Sequence, residues 1–487
     1  MKYFMVALSF LTFCMLIYAR ESKEDTLQVL FPIAYLKNDS RVVDVTNLKT
    51  IYEYYLVESL AAGLLRDTPS THDGYTPLLA ESWHQTGPDE WQFRIKSNLT
   101  WSNGEPLTGE QIAHHFATIK NRDSKHLLAL RRLENVRFEP VGRILTMVFN
   151  GSTNSSLLHE LSLADAVVTY PGQSGENWSV TSGAYSVVRY DPKALELEMR
   201  INPTSVTAND KAPKSVHLFY PKEKSLLVGA FKDYPVDLYY QPAQPYRNVV
   251  KTIRKQATQI YSGHPNTISF FSFNSKHPLA HHESARQAFR KIVTDALKDF
   301  PWDETIQPED QMIPSGYAGR ISHYKSEASA GDGLSGQTIL IVVSHGFREL
   351  PDSINRLKSL ANSFGVDLEI AYSDDVVDES KPFATLKSFK GNQVDPAGSW
   401  NFLFNGDDAE LGQFRGNVLS LLNAVTVLNE PHLRNEVLDT LHRQVLDHAY
   451  AVPVMLESNA IFASNRVTLN NINPFDLRLR FYDVVWK

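Results

Sequence analysis

Apolar positions along this chain recur with two periods, and the switching between them predicts mixed α and β structure. Residues 27–31 read as a strand that ends at Pro32. From 47 to 65, Ile51, Tyr55, Ala62 and Leu65 fall near one face, giving a helix that Asn47 would cap. Strand-like alternation follows at 91–96, 143–149 and 184–200; in the last, Leu195, Leu197 and Met199 alternate with Glu196, Glu198 and Arg200. An apolar strand at 268–273 precedes an amphipathic helix at 282–297. Ala285, Phe289, Ile292, Val293, Ala296 and Leu297 form its stripe, and Arg286, Arg290 and Lys291 are expected to face out. Residues 338–370 read strand–helix–strand, with Ile354, Leu357, Leu360 and Phe364 as the helix stripe and Gly365 as its stop. That βαβ pattern implies parallel pairing in an α/β layer. A helix running to about residue 449 then precedes strands at 451–456 and 477–485.

The N-terminus stands apart. Lys2 leads an apolar run from residue 3 to 18, and charge returns at Arg20 and Glu21. This is the layout of a secretory leader, expected to be cleaved after Ala19, and the run is short for a membrane span. Cys14, the only cysteine, lies inside it. A lipid-acceptor cysteine normally follows a small residue, whereas Phe13 is large, so Cys14 is expected to leave with the leader. The mature chain would then carry no thiol, which suits an oxidising compartment. With 487 residues the chain exceeds a single core, and it divides into lobes without any Pro/Gly/Ser-rich linker. The net charge of -7 disfavours nucleic acid as a partner.

A search for catalytic chemistry finds little. P-loop, dinucleotide-fingerprint, nucleophile-elbow, C-x-x-C and H-E-x-x-H patterns are all absent. His281, His282 and Glu283 offer at most a loop metal site, and surface or capping roles suit them better. His114 and His115 sit at a helix start, and Ser344-His345-Gly346 reads as a turn. No cofactor and no resident metal are expected.

Two loops are rich in aromatic and turn residues. In 98–108, Asn103-Gly104 signals a tight turn, and Thr108 with Gln111 can form a capping box. In 392–401, Asp395, Pro396 and Trp400 suggest the edge of a cleft. Pro77-Leu78-Leu79-Ala80-Glu81-Ser82-Trp83, the strand at 91–95 and the 99–108 loop together resemble the most recognisable block of the family 5 extracellular solute-binding proteins, the oligopeptide- and dipeptide-binding group of ABC importers. Ser182-Gly183-Ala184-Tyr185, Val236-Asp237-Leu238, Ser272-Phe273-Asn274-Ser275, Arg286-Gln287-Ala288-Phe289, Ile313-Pro314-Ser315-Gly316-Tyr317 and Phe364-Gly365-Val366-Asp367-Leu368 resemble later family blocks in order. The chain departs from the family at Ala34-Tyr35-Leu36 and at Val394-Asp395-Pro396, where cleft loops are expected.

The resemblance implies an α/β fold of the periplasmic-binding-protein type II-like kind: two main lobes plus an extra inserted domain, closing on a central cleft. Residues 20–50, 166–262 and 458–487 would form lobe I, 51–165 the inserted domain II, and 263–457 lobe III, after a leader at 1–19. It implies a periplasmic, monomeric, non-enzymatic receptor that passes a small ligand, a peptide first among the candidates, to ABC transporter permease subunits. Nickel complexes, haem and sugars are other cargoes of the family. Asp395 would anchor a ligand amine, Tyr35, Phe273 and Trp400 would supply flat apolar walls, and Asn274 would touch ligand or bridge the hinge. Two other readings stay open: a sensory binding module without a transporter, and a secreted hydrolase.

Overall fold

The structure is a computed structural model that describes residues 25–31, 42–45, 48, 50–68, 74–119, 136–151, 153, 156–171, 178–220, 236–241, 259–302, 306–322, 324, 333–390, 396–404, 409–470, 472 and 478–487. The leader, with Cys14, lies outside the described residues. Among the described residues no helix is long and apolar enough to cross a membrane.

Three main sheets each carry their own core. The first has seven strands, in the order Gln259–Ser262, Ala460–Ala463, Leu238–Gln241, Thr26–Leu30, Ser215–Phe219, Glu196–Ile201 and Tyr185–Asp191. Thr26–Leu30 is parallel to both of its neighbours, and the other pairings are antiparallel. Its core joins Leu27, Val29, Tyr185, Leu197, Val216, Leu238 and Ile461, residues far apart in sequence. Helix α1 (Ile51–Leu60) packs Tyr52, Tyr55, Leu56 and Leu60 into this same core, not into the inserted domain where the 51–165 boundary would put it. Thr50 caps α1, not Asn47: the Thr50 side chain accepts from Glu53 N while Glu53 bonds back to Thr50 N at 2.7 Å. Asn47 lies outside the described residues.

The second core covers a four-stranded sheet, Ala80–Gly87, Glu90–Ile95, Ile144–Val148 and Arg137–Val141, with helices α2 (Gly109–Ile119) and α3 (Ser156–Ser162). The capping box forms at the start of α2: Thr108 N donates to Gln111 Oε1 and Gln111 N to Thr108 Oγ1. Trp101 is fully buried, and its indole N–H also reaches Gln111 Oε1 at 3.2 Å. Gly104 takes φ +87°, which the tight turn requires.

The third sheet has six strands, in the order Ile306–Pro308, Ala451–Glu457, Thr267–Phe273, Pro382–Lys390, Thr338–Val343 and Asp367–Tyr372. Thr338–Val343 runs parallel to both neighbours, as the strand–helix–strand pattern predicts. Helices α4 (Glu283–Leu297), α5 (Pro351–Ser363), α6 (Pro396–Phe404), α7 (Arg415–Val427) and α8 (Pro431–Asp447) complete this body. The apolar stripe of α4 is buried as expected, but so are Arg286 and Arg290. Arg286 donates to the carbonyls of His448, Ala449 and Ala280, and Arg290 to those of Leu446 and the Tyr324 hydroxyl. The C-terminal end of α8 leaves carbonyls without helical partners, and cations favour that end of the dipole, so two arginines buried there are satisfied. The expected strand 477–485 is shorter: a 3₁₀ turn at Phe481–Asp483 precedes Val484–Trp486, which pairs with Val467–Leu469.

The first two cores meet at a crowded, partly ionic junction. Ser182 accepts from Ala62 N and donates to Val168 O, and Gly183 N donates to Leu60 O. Arg478 bridges Glu58 and Asp67 at 2.8 Å to each, and Arg480 also reaches Glu58. Both arginines leave these carboxylates paired inside the fold, where an unpaired charge would be costly. Beside them Asp165 is buried, facing the Tyr54 phenol, with no fully formed hydrogen bond to either carboxyl oxygen.

Two predictions follow from this junction. A side chain at Gly183 would place its Cβ 2.5 Å from Ala61 N and 2.7 Å from Leu60 O, both backbone atoms that cannot swing away. Gly183→Ala is expected to lower the urea midpoint, at a cost of about 1–3 kcal/mol or more; an unchanged midpoint would show that the junction yields. Burial raises the Asp165 pKa to about 8, against the pull of the Tyr54 hydroxyl, while an unfolded Asp titrates near about 3.9. Between those values the folded chain holds a proton that the unfolded chain has lost. Asp165 therefore costs stability progressively as pH rises through that window. Asp165→Asn should raise Tm by a few degrees at pH 7.5, with the gain shrinking towards pH 4.5 in scanning calorimetry.

Candidate functional site

Two strands pass between the first and third sheets side by side. Gln259–Ser262 continues into Thr267–Phe273, and Ala451–Glu457 continues into Ala460–Ala463. Their pairing is antiparallel in both sheets, Ser262 opposite Ala460 in one and Thr267 opposite Glu457 in the other. Between the sheets Gly263 N donates to Asn459 O at 3.1 Å and Asn266 N to Glu457 O at 3.2 Å. The result is a two-stranded ribbon, which among the described residues is the covalent route between the two bodies.

The polar groups where the ribbon enters the third sheet are buried. Ser269 donates to Glu457 Oε1 at 2.8 Å and lies 2.9 Å from the Ser388 hydroxyl. Asn459 Nδ2 donates to Thr267 Oγ1 at 3.4 Å. Glu457, Asn459 and Ser269 are all nearly inaccessible to solvent. A carboxylate in such a place needs the hydrogen bonds it receives.

Above the ribbon the parallel strands of the two sheets present carboxyl ends, the place where open α/β sheets bind ligands. On the first sheet, Phe31, Tyr52, Tyr55 and Tyr240 cluster there. Tyr52 meets Phe31 edge-on at 5.5 Å, and the Tyr55 hydroxyl donates to that of Tyr240 at 2.9 Å. On the third sheet, Pro382–Lys390 ends at the same level, since Lys390 lies opposite Thr267. Lys390 reaches across, its ammonium 6.0 Å from the centre of the Tyr55 ring. The third body also meets the second, where α6 packs against α3 and Gly398 faces the His159 imidazole.

Tyr35 and Asp395, both expected in the cleft, lie outside the described residues. In sequence, Tyr35 follows the carboxyl end of Thr26–Leu30 and Asp395 follows that of Pro382–Lys390. The other expected site residues are placed elsewhere. Phe273 pairs with Ala384, at the end of its strand remote from Lys390 and the hinge. Its ring packs between Phe289 and Phe383 in the third core. Asn274 brackets a loop, its Nδ2 donating to Glu379 O and Pro382 O at 2.8 Å each and its Oδ1 accepting from Lys276 N. Trp400 is 1% exposed, tilted against His442 and Phe404, so it serves as core rather than as a cleft wall. His442 beside it is buried and neutral: desolvation lowers its pKa to about 3, with Nε2 accepting from Met312 N and Nδ1 bonded to Gly319 O.

The other histidines take local roles. His281 bonds Ser275 O, Glu283 pairs with His448, and Ser344 caps the 3₁₀ turn His345–Glu349 through Gly346 N. His115 lies against Thr169. Among the described residues no three His, Cys, Asp or Glu side chains gather to hold a metal ion. Sequence reasoning missed Lys390, Tyr55, Glu457, His159 and Gly398. One signal was present for Glu457, an acid that abruptly closes the apolar run 451–456. A second was Lys390, a cation at the end of an apolar strand just before the Asp395 loop.

Known proteins share this geometry. The structure superposes on NikA from Staphylococcus aureus, in complex with Ni(L-His)2, with a TM-score of 0.76 at 16% identity, covering 95% of this chain and 100% of that one. OppA from Haemophilus influenzae, in complex with RPPGFSPFR, gives 0.74 at 12% identity over 95% and 99% of the chains. The Escherichia coli murein tripeptide binding protein MppA gives 0.73 at 13% identity over 95% and 98%. At such identities these likenesses establish the fold, which is the periplasmic-binding-protein type II-like α/β fold. In sequence, a Haemophilus influenzae protein named only as a binding protein is 33% identical over 63 residues, a match spanning 12% of this chain and 12% of that relative's length. The model of the bacterial extracellular solute-binding proteins, family 5, middle region, matches residues 74–332, more than half of the chain. The chain therefore belongs to the family 5 extracellular solute-binding proteins.

Proposed function

We propose that the protein is a periplasmic receptor that captures a peptide between its first and third bodies and delivers it to the permease of an ABC importer. The observation that carries this reading is the meeting of the two sheets' carboxyl ends, with Lys390 laid over Tyr55. Asp395 stands in sequence between Lys390, which touches the first body, and Gly398, which touches the second. Both neighbours of the Asp395 segment thus face the opposite side of the cleft, and we assign Asp395 as the anchor for a ligand amine. Tyr35, which follows the facing strand, would add a flat wall on the other side. Two structural relatives support the peptide class, being an OppA solved with RPPGFSPFR and a murein tripeptide binding protein.

The work of such a receptor is binding and closure, not turnover. Main-chain hydrogen bonds to an extended ligand give affinity without selecting side chains. The ribbon then acts as the hinge on which the third body swings over the ligand. Asp395→Asn should weaken binding of a short peptide by about 1–3 kcal/mol in isothermal titration calorimetry, the scale of a lost charged hydrogen bond. Equal affinity for both proteins would reject the amine anchor. Native mass spectrometry of protein taken from its own periplasm should show co-purified peptide masses, and any other mass would replace the ligand class while leaving the fold and hinge untouched.

A further inference from the structure

Helix α3 belongs to the second core through Leu157, Leu158 and Leu161, and α6 to the third through Ala397, Trp400, Leu403 and Phe404. Among the described residues no covalent segment joins these two bodies directly, and the third is tethered to the first through the ribbon. Yet α3 and α6 pack against each other. The contact has a specific shape. A Cβ at position 398 would lie 2.5 Å from His159 Nε2 and 2.6 Å from its Cδ2. Glycine within a helix costs about 1 kcal/mol relative to alanine, so its use here has a local reason. The reason is that His159, 4% exposed, brings the Nε2–Cδ2 edge of its ring against the bare backbone of α6.

We infer that His159 and Gly398 form a latch across the outer edge of the cleft, which seats only when the third body has closed. The inference rests on the reading of the protein as a hinge-closing solute receptor. It adds a second docking point to the Lys390–Tyr55 contact, this one outside the first body. Two points of contact on different bodies define the angle of closure, which one point and a flexible ribbon do not. The glycine is the keyhole: any side chain there would stop α6 short of α3. His159 is thereby a positioning residue for capture and has no need to touch the ligand.

The test measures closure itself. Spin labels on Val141→Cys, exposed in the second body, and Val376→Cys, exposed in the third, report their separation in a Cys14→Ser chain by double electron–electron resonance. Spectra are taken with and without a tryptic casein digest as the peptide source. Wild type should show a short-distance population, and Gly398→Ala should cut it at least about fivefold, the effect of a modest steric clash. Adding His159→Ala to Gly398→Ala removes the ring that the new Cβ strikes and should restore the short distance. Gly398→Ala should not lower the urea midpoint, because alanine favours the helix; a lowered midpoint makes the double variant's rescue the deciding measurement. The latch is overturned if Gly398→Ala closes like wild type, if His159→Ala fails to rescue it, or if wild type shows no short-distance population in either condition. A short-distance population that ignores the digest but responds to position 398 would instead leave the latch standing and reject the peptide reading.

Discussion

The whole arrangement hangs on the antiparallel ribbon that joins the first and third sheets. Its strands are unequal where they cross, with residues 263–266 on one side and 458–459 on the other. Extra residues on one strand of a pair raise the local twist and loosen the ladder, as a β-bulge does. Two main-chain hydrogen bonds survive the crossing, Gly263 to Asn459 and Asn266 to Glu457, so the register is kept while the twist remains adjustable. Because both described connections pass through the same narrow ribbon, the proposed closure of the third body would be a rotation about it.

The polar groups of that ribbon explain why it does not simply fray. The bonds of Glu457 to Ser269 and of Asn459 to Thr267 are shielded from water, and exposed Ser388 closes the Ser269 side. A satisfied buried network strongly prefers one arrangement of its members, whereas apolar packing tolerates several. The aromatic group above it, Phe31, Tyr52, Tyr55 and Tyr240, plays the complementary part. It gives the first sheet a rigid rim with hydroxyls pointing inward, against which a single cation from the third sheet can settle.

Local structure was largely legible in the sequence because periodicity reports burial. The stripe of α4, the strand–helix–strand unit and the capping box of α2 all stand where the pattern puts them. The failures share a cause: each involves a partner distant in sequence. Arg286 and Arg290 look solvent-facing until α8 is known to end over them. Phe273 and Asn274 looked like cleft residues because their strand enters the hinge, but pairing with Ala384 shows that the hinge lies at the strand's other end. Trp400 followed a loop with cleft-like composition, and the side chain instead turned inward onto His442. The cap of α1 is the one local exception: Thr50 rather than Asn47 takes it because Glu53 completes a capping box with Thr50.

The same logic explains why the family was easier to read than the cargo. The family match covers residues 74–332, which hold most of the second body, five strands of the first sheet and the start of the third body, a stretch of packed cores and tight turns such as Trp101 on Gln111. It stops short of Lys390, Asp395 and Gly398. Segments that follow the carboxyl ends of strands are free to change without disturbing the sheet beneath them, so a fold can keep its hinge and exchange its ligand. In this chain the departures at Ala34-Tyr35-Leu36 and Val394-Asp395-Pro396 fall on such segments, one after each of the two facing strands. The sequence thus departs from the family where the sheets impose least, whereas Lys390 and Gly398 meet side chains of the opposite bodies.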